Sequence, residues 1–300
     1  MHHDLEALRG RIGAWTATHE SLEPTRLGEL TARLEAAGFS ALWVPEAWGR
    51  EAMTGAQALL DDSSELVVAT GIASIHARDA VATAGASRLL AARHPGRFVL
   101  GLGVSHRPLV ERARGGTYDR PVEAMARYLE ALAAAPLFSV EHDLRPAVVL
   151  AALGPRMLSL AGSEADGALT YLVTPEHTAS AREALGDGSF LAVELSVVLG
   201  EDRDEFLRRA HEHLNIYTGL DNYRASWRRL GFDDTDFVRG GSERLCDRLV
   251  VHGDLDDVAG AIDLHVRAGA DHVCLQVLGS SLTEVPWAQF DALSALTSAG

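Results

Sequence analysis

The sequence predicts a single (β/α)8 barrel, an α/β fold in which eight parallel strands alternate with helices around a closed sheet (a TIM barrel). Its 300 residues suit one such barrel, which typically takes about 250 residues plus insertions. Short apolar runs alternate with amphipathic helical segments along the chain, which is the pattern of a parallel α/β fold. Eight such runs can be identified, and most are continuous, as expected of strands covered on both faces.

The predicted strands are spread over nearly the whole chain. They cover residues 12–15, 41–45, 66–72, 98–104, 147–151, 167–172, 191–199 and 271–278. An open doubly wound sheet is the alternative arrangement for alternating strands and helices. It would need a G-x-G-x-x-G turn leading into a helix near the first strand, and residues 12–18 do not supply one.

The helices between the strands carry their own start and stop signals. Pro24 begins the first helix and Gly38 follows its end, in keeping with the preferences of proline and glycine. Asp79 is placed to cap the second helix, and Pro121 begins the third. These signals fall between the apolar runs, which supports the strand assignments.

Two connections are unusually long. Residues 105–120, after the fourth strand, contain Gly115-Gly116 and little periodicity, so we expect an active-site loop there. Residues 200–270, between the last two strands, hold several helical stretches. We interpret them as an inserted lid or dimer-forming element within one domain that spans residues 1–300.

Composition argues against several classes of function. The net charge is −15, all 27 basic residues are arginine, and no basic cluster is present, so we expect no nucleic-acid partner. The lack of lysine excludes Schiff-base chemistry. No apolar stretch is long enough to span a bilayer and no signal peptide is visible. Since Cys246 and Cys274 form no spacing pattern, we expect free thiols and a cytoplasmic location.

No metal site is predicted. His211 and His213 are two residues apart on a predicted helix, so their side chains point in different directions, unlike the i,i+4 pair of a zinc-binding helix. The end of the first strand also lacks the His-x-His pair of metal-dependent hydrolase barrels, and no G-x-S-x-G elbow occurs.

Chemistry in such barrels lies at the carboxyl ends of the strands, and there four segments carry a family resemblance. They read G-F-S-A-L-W-V-P-E at 38–46, A-T-G-I at 69–72, P-G-R-F-V-L-G-L-G-V-S at 95–105, and L-G-P-R at 153–156 followed by A-D-G at 165–167. In this order they resemble the luciferase-like monooxygenase superfamily. The wider pattern, including G-A-D-H-V at 269–273, is similar to an actinobacterial-type subgroup that uses the deazaflavin coenzyme F420.

The resemblance implies a cofactor site. A glycine-proline turn that opens a helix offers free N–H groups to an anion, and the family position assigns the cofactor phosphate to the backbone of Gly154, Pro155, Arg156 and Met157. The segment Gly71-Ile72 falls where the family often has a non-prolyl cis peptide behind the central ring of the cofactor. Gly103 and Val104, at the end of the fourth strand, are also expected to contact the cofactor.

Two residues are the catalytic candidates. Glu46 follows the second strand among apolar neighbours and is expected to bond to the ring edge or to transfer a proton. Its equivalent in related F420 enzymes is often followed by a histidine, where this chain has Ala47. His106, after the fourth strand, is the natural substitute because an imidazole titrates near neutral pH.

Other polar and aromatic residues near strand ends are candidates for the substrate pocket: Trp48, His76, Tyr171 and Glu194. The function predicted is hydride transfer between F420 C5 and a small organic substrate. An FMN-dependent monooxygenase and a non-catalytic flavin-binding barrel are the alternatives. Arg107, Arg112 and Arg114 favour F420 because they can guide its acidic tail. The resemblance also implies a homodimer.

Overall fold

The computed structural model describes residues 3–136, 138 and 144–297. Its strands are β1 (Ile12–Trp15), β2 (Ala41–Val44), β3 (Val67–Thr70), β4 (Ala73–Ser74), β5 (Phe98–Gly103), β6 (Ala147–Ala151), β7 (Gly167–Thr170), β8 (Phe190–Leu199), β9 (Val250–Gly253) and β10 (His272–Val277). Its α-helices are α1 (His3–Glu6), α2 (Leu27–Ala36), α3 (Ala52–Asp61), α4 (Ala80–Arg93), α5 (Pro121–Ala133), α6 (Pro155–Glu164), α7 (Pro175–Leu185), α8 (Arg203–Tyr217), α9 (Asp221–Arg229), α10 (Glu243–Leu249), α11 (Leu255–Arg267) and α12 (Trp287–Thr297).

Eight of these strands form a closed parallel barrel, in the order β1, β2, β3, β5, β6, β7, β8 and β10. The sheet closes because β10 pairs with both β1 and β8. All eight predicted strands are present, and the predicted fold class is confirmed. Two short strands were not predicted: β4 pairs with the end of β5, and β9 extends the sheet beside the end of β8.

The inside of the barrel is filled rather than hollow. Trp43 and Phe190 are almost completely buried there, as expected of the packed interior of this fold. Leu5 and Leu8 from the amino-terminal segment belong to the same buried cluster, and the Leu8 carbonyl lies 3.2 Å from Nδ1 of His272 on β10. The side chains of the barrel helices cover its outer face in a second apolar cluster.

The segment predicted as an insertion has two parts. Helices α8, α9 and α10 share a third apolar cluster with Leu172, Val198 and Leu278, which lie at the ends of barrel strands. Helix α11 instead packs against β8 and β10, as a regular barrel helix does. The insertion is therefore anchored on the carboxyl ends of the strands. Within the residues described, no helix has both the length and the apolar character needed to cross a bilayer.

Candidate active site

The carboxyl ends of the parallel barrel strands form one rim, which we call the C-terminal rim. Glu46, Gly71, His106 and Gly154 follow β2, β3, β5 and β6 respectively, so the structure places all four at this rim. Their common position is what the sequence predicted.

The Gly71–Ile72 peptide is cis, as the resemblance implied. The Gly71 carbonyl accepts a hydrogen bond of 3.1 Å from the Trp15 indole, and the Ile72 carbonyl accepts one of the same length from the Glu46 N–H. A Cβ atom on Gly103 would lie only 2.4 Å from the Ile72 side chain, so any larger residue would force that side chain to move. These residues form a compact support on one side of the barrel opening.

The carboxylate of Glu46 is buried and fully engaged. It pairs with the Arg78 guanidinium and accepts a hydrogen bond of 2.8 Å from the Ser74 N–H. A weaker bond of 3.4 Å comes from the N–H of Ala52, at the start of α3. Because protein donors occupy both oxygens, this geometry supports a positioning role for Glu46 more than proton transfer.

His106 is different, because its imidazole retains an unused group. Its Nδ1 atom is buried and has no hydrogen-bond partner in the described part of the chain. The preceding residue, Ser105, has a left-handed φ of 57°, and the imidazole centroid lies 5.8 Å from that of Tyr223. Burial lowers the pKa of His106 below its usual value and so favours the neutral form of the ring. A buried unpaired nitrogen at the rim is suited to a ligand.

The turn at Gly154 is open. Gly154 is the N-cap of α6 in an extended conformation, and a Cβ atom there would meet no atom within 4 Å. Arg156 is exposed and already paired with Glu123 at 2.9 Å. The Met157 N–H donates a hydrogen bond of 3.1 Å to the Gly154 carbonyl. Of the four residues predicted to bind phosphate, Met157 therefore has its N–H engaged within the helix.

A cation that was not predicted from the sequence lies beside this turn. Arg229, at the end of α9, donates a hydrogen bond of 2.8 Å to the Leu153 carbonyl, directly before Gly154. Among the residues that the structure describes, no carboxylate lies within ion-pair distance of it, and burial lowers the pKa of its guanidinium. Arg229 is distant in sequence from Gly154, and only the docking of the insertion on the barrel brings them together.

Two of the predicted pocket residues lie on the outer part of the rim. Trp48 is 77% exposed, and its backbone N–H donates a hydrogen bond of 3.1 Å to the Glu20 carboxylate. The structure therefore does not bring Trp48 to the centre of the site. His76 is half-buried 6.0 Å from the ring of Tyr118, and burial, with a smaller effect of Arg114, lowers its pKa.

The other two belong to a polar cluster at the centre of the barrel opening. We call it the mouth network, and it comprises Tyr171, Glu194, Ser196, His213, Tyr217 and Gln276. The Tyr171 hydroxyl donates to Oε1 of Gln276 at 2.7 Å and accepts from the Tyr217 hydroxyl at 3.0 Å. The Tyr171 ring packs 5.1 Å from that of Trp15.

Four members of the mouth network were not found from the sequence: Ser196, His213, Tyr217 and Gln276. His213 and Tyr217 are four residues apart on α8 and share one face, which is the signal that could have identified them. His211 lies on a different side of the helix, with Nδ1 at 3.0 Å from the Gly240 carbonyl. The insertion thus supplies side chains to the site.

Comparison with known proteins agrees with this geometry. The model of the luciferase-like monooxygenase family matches residues 7–272. A protein of Mycobacterium tuberculosis named as a coenzyme F420-dependent oxidoreductase is 25% identical over 321 aligned positions, which cover 86% of this chain and 91% of that protein.

Solved structures of both cofactor classes share the fold. An F420-dependent secondary alcohol dehydrogenase, in complex with an F420-acetone adduct, superposes with a TM-score of 0.77 at 15% identity, covering 96% of this chain and 98% of that one. The F420-dependent tetrahydromethanopterin reductase of Methanopyrus kandleri gives 0.70 at 17% identity, covering 95% and 97%. The FMN-bound oxygenating constituent of 3,6-diketocamphane monooxygenase of Pseudomonas putida also gives 0.70, at 15% identity, covering 96% of each chain.

Proposed function

The chain belongs to the luciferase-like monooxygenase family and is an oxidoreductase, and we propose that it uses coenzyme F420 to transfer a hydride between the deazaflavin C5 and a small organic substrate. The observation that carries this proposal is the convergence of three features at the C-terminal rim. They are the Gly71–Ile72 segment packed over Gly103, the unpaired Nδ1 of His106 and the open turn at Gly154.

The residues present fit such a cofactor. The bulge at Gly71–Ile72, packed over Gly103, would support a flat ring system, with Val104 beside it at the end of β5. The turn at Gly154 would hold the phosphate through N–H groups at the start of α6, and the Arg229 guanidinium would add a positive charge. When bound, the deazaflavin supplies the hydride chemistry.

The protein groups around this position would orient the substrate and manage protons. Burial lowers the pKa of His106, so its neutral imidazole would hydrogen-bond to the substrate or the ring without adding a charge. The tyrosine rings at the opening would exclude water from the reacting atoms; Tyr223 is buried, and Tyr171 and Tyr217 are half-buried against it and each other.

FMN is the alternative cofactor, because it shares with F420 a tricyclic ring, a ribityl chain and a first phosphate. The FMN-bound structural neighbour favours this second candidate, a flavin-dependent monooxygenase. We favour F420 because its acidic tail needs cations beyond the phosphate. Arg107, Arg112 and Arg114 are exposed after β5, although Arg107 is already paired with Glu111 at 2.6 Å. Part of the predicted loop is a π-helical turn, Leu109–Ala113, which contains Arg112.

Cofactor consumption with and without oxygen tests the reaction class. Purified protein is mixed with reduced F420 or reduced FMN and a panel of aldehydes and ketones, and cofactor oxidation is followed by absorbance. We expect reduced F420 to be consumed without oxygen and only when a carbonyl compound is present. Formation of an oxygenated product from reduced FMN and oxygen, absent without the protein, would support the monooxygenase instead.

A further inference from the structure

The mouth network is continuous from the insertion to a buried carboxyl group inside the barrel. We propose that Tyr217, Tyr171, His213, Ser196 and Glu194 form a proton relay, in which the Tyr217 hydroxyl takes the proton of a substrate alcohol and Glu194 is the final acceptor. This inference rests on the proposed function and narrows its small organic substrate to an alcohol or the corresponding carbonyl compound.

The distances allow a proton to move along the chain. The Tyr217 hydroxyl donates to that of Tyr171 at 3.0 Å, and the Tyr171 hydroxyl lies 3.4 Å from Nε2 of His213. The same Nε2 lies 3.4 Å from Oγ of Ser196, which donates to Oε1 of Glu194 at 2.6 Å. The two contacts of His213 are long, as catalytic hydrogen bonds often are without a ligand. Tyr217 and Ser196 both donate in the direction of the carboxylate. The Tyr171 hydroxyl donates to Oε1 of Gln276 at 2.7 Å, so it must rotate toward Nε2 of His213 before it can pass a proton on.

The carboxylate is fixed at its other oxygen. Oε2 of Glu194 accepts a hydrogen bond of 3.0 Å from the N–H of Leu172. Leu172 has a left-handed φ of 51°, which a leucine rarely adopts, and its carbonyl accepts a bond of 3.1 Å from the Trp227 indole. Glu194 and Trp227 therefore hold an unfavourable backbone conformation from both sides, a feature typical of functional sites.

The surroundings of Glu194 contain no positive charge within ion-pair distance among the residues described. The titratable groups that face it are Cys274 on β10, Tyr171 after β7, His213 and Tyr217 on α8, and Tyr223 on α9. Burial raises the pKa of Glu194 to about 7, lowers that of His213 to about 4 and raises that of Tyr217 to about 12. Among these groups, Glu194 alone changes its charge near neutral pH.

The proposed step is balanced. In the direction of oxidation, the substrate carbon gives its hydride to the oxidised cofactor and the substrate hydroxyl gives its proton to Tyr217. Tyr217 passes its own proton to Tyr171, and Tyr171 passes one to His213. His213 and Ser196 then deliver a proton to the Glu194 carboxylate. The alcohol becomes a carbonyl compound, Glu194 ends as a carboxylic acid, and reduction reverses each transfer.

Coupling between the carboxyl group and the tyrosines can be measured on the full chain without cofactor. Infrared spectroscopy follows the protonated carboxyl band during a pH titration, and ultraviolet difference absorbance follows the tyrosines. We expect both signals to change with a shared midpoint of about 7 and both to be lost in Glu194→Gln. Glu194→Gln retains an acceptor for Leu172, so folding should be preserved.

Two further variants separate a relay from a merely buried acid. Ser196→Ala should leave a titrating carboxyl band but remove the coupled tyrosine signal, and Tyr217→Phe should reduce that signal. Tyr128→Phe is the matched control, because Tyr128 lies on α5 and bonds to Thr83 instead. A tyrosine signal that survives Glu194→Gln or Ser196→Ala would overturn the relay.

The loaded protein gives the second readout. With F420 and a secondary alcohol that the wild type oxidises, kcat should rise about tenfold per pH unit below pH 7 and level off above it. Glu194→Gln should lower kcat about 100-fold or more, remove this dependence and leave F420 affinity unchanged. An unaltered pH profile would overturn the relay. Failure of the wild type to bind F420 would instead contradict the proposed function, while the titrations without cofactor would still decide the relay.

Discussion

Replacing Gly154 by leucine should remove most of the cofactor affinity while leaving the fold intact. Gly154 has φ −102° and ψ 152°, an extended conformation that leucine adopts readily, and no atom lies within 4 Å of the position of a new Cβ. The free energy of unfolding should therefore change by no more than about 1 kcal/mol.

The same side chain would occupy the space in front of the turn, where we place the phosphate. Loss of one or two charge-assisted hydrogen bonds costs about 3 kcal/mol, which corresponds to a loss of affinity of more than about 100-fold. Fluorescence titration with F420 measures the affinity, and urea unfolding without cofactor measures the stability.

Gly188→Leu is the matched control. Gly188 also has open space around its Cβ position, and it lies between α7 and β8, at the opposite end of the barrel. This variant should retain both affinity and stability. Full F420 affinity in Gly154→Leu would show that the phosphate binds elsewhere, and an equal loss of stability would show that the turn matters for folding.

Two further predictions concern charged groups at the site. Since the folded protein holds Glu194 at a pKa of about 7 against an ordinary 4.5, its contribution to stability is complete below pH 4.5 and is lost as the pH rises through 7. The free energy of unfolding of the wild type relative to Glu194→Gln, measured with urea, should thus fall by about 3 kcal/mol from pH 4.5 to pH 7. The same dependence of this free energy on pH in both proteins would contradict the burial of Glu194. Arg229→Ala should weaken F420 and FMN binding about tenfold in the same titrations, because it removes a charge beside the phosphate. Arg156→Ala should change either affinity less than about threefold, because Arg156 is exposed and paired with Glu123. A larger loss of affinity in Arg156→Ala than in Arg229→Ala would show that Arg156 supplies the positive charge beside the phosphate.

Much of the barrel was predictable because burial on both faces gives its strands continuous apolar runs, such as Phe98–Gly103. The two missed strands are short. β4 has only two residues, directly after the cis peptide, and β9 lies within the helical insertion. Sequence periodicity cannot detect a strand of two residues. β9 is as long as β1, but only Val250 of its four residues is buried, so it lacks the continuous buried run of a barrel strand.

The position of a candidate residue at the C-terminal rim was predictable where one segment fixes it, as at Gly71-Ile72 and Gly154. It was not predictable where partners come from distant segments. The docking of α9 brings Arg229 to Leu153, and the register of β10 against β8 brings Gln276 level with Ser196. The ion pair of Glu46 with Arg78 likewise depends on how the loop after β4 folds back, and the sequence gives no sign of it.

The identity of the cofactor is the central claim, and competitive affinity tests it most directly. Purified apoprotein is titrated with F420 and with FMN, at low and at moderate salt, and binding is followed by fluorescence quenching. We predict that F420 binds at least about tenfold more tightly, a difference of about 1.4 kcal/mol, and that added salt reduces this preference because the tail is acidic. Equal affinities, or tighter binding of FMN, would contradict F420 dependence and assign the chain to the flavin-dependent monooxygenases.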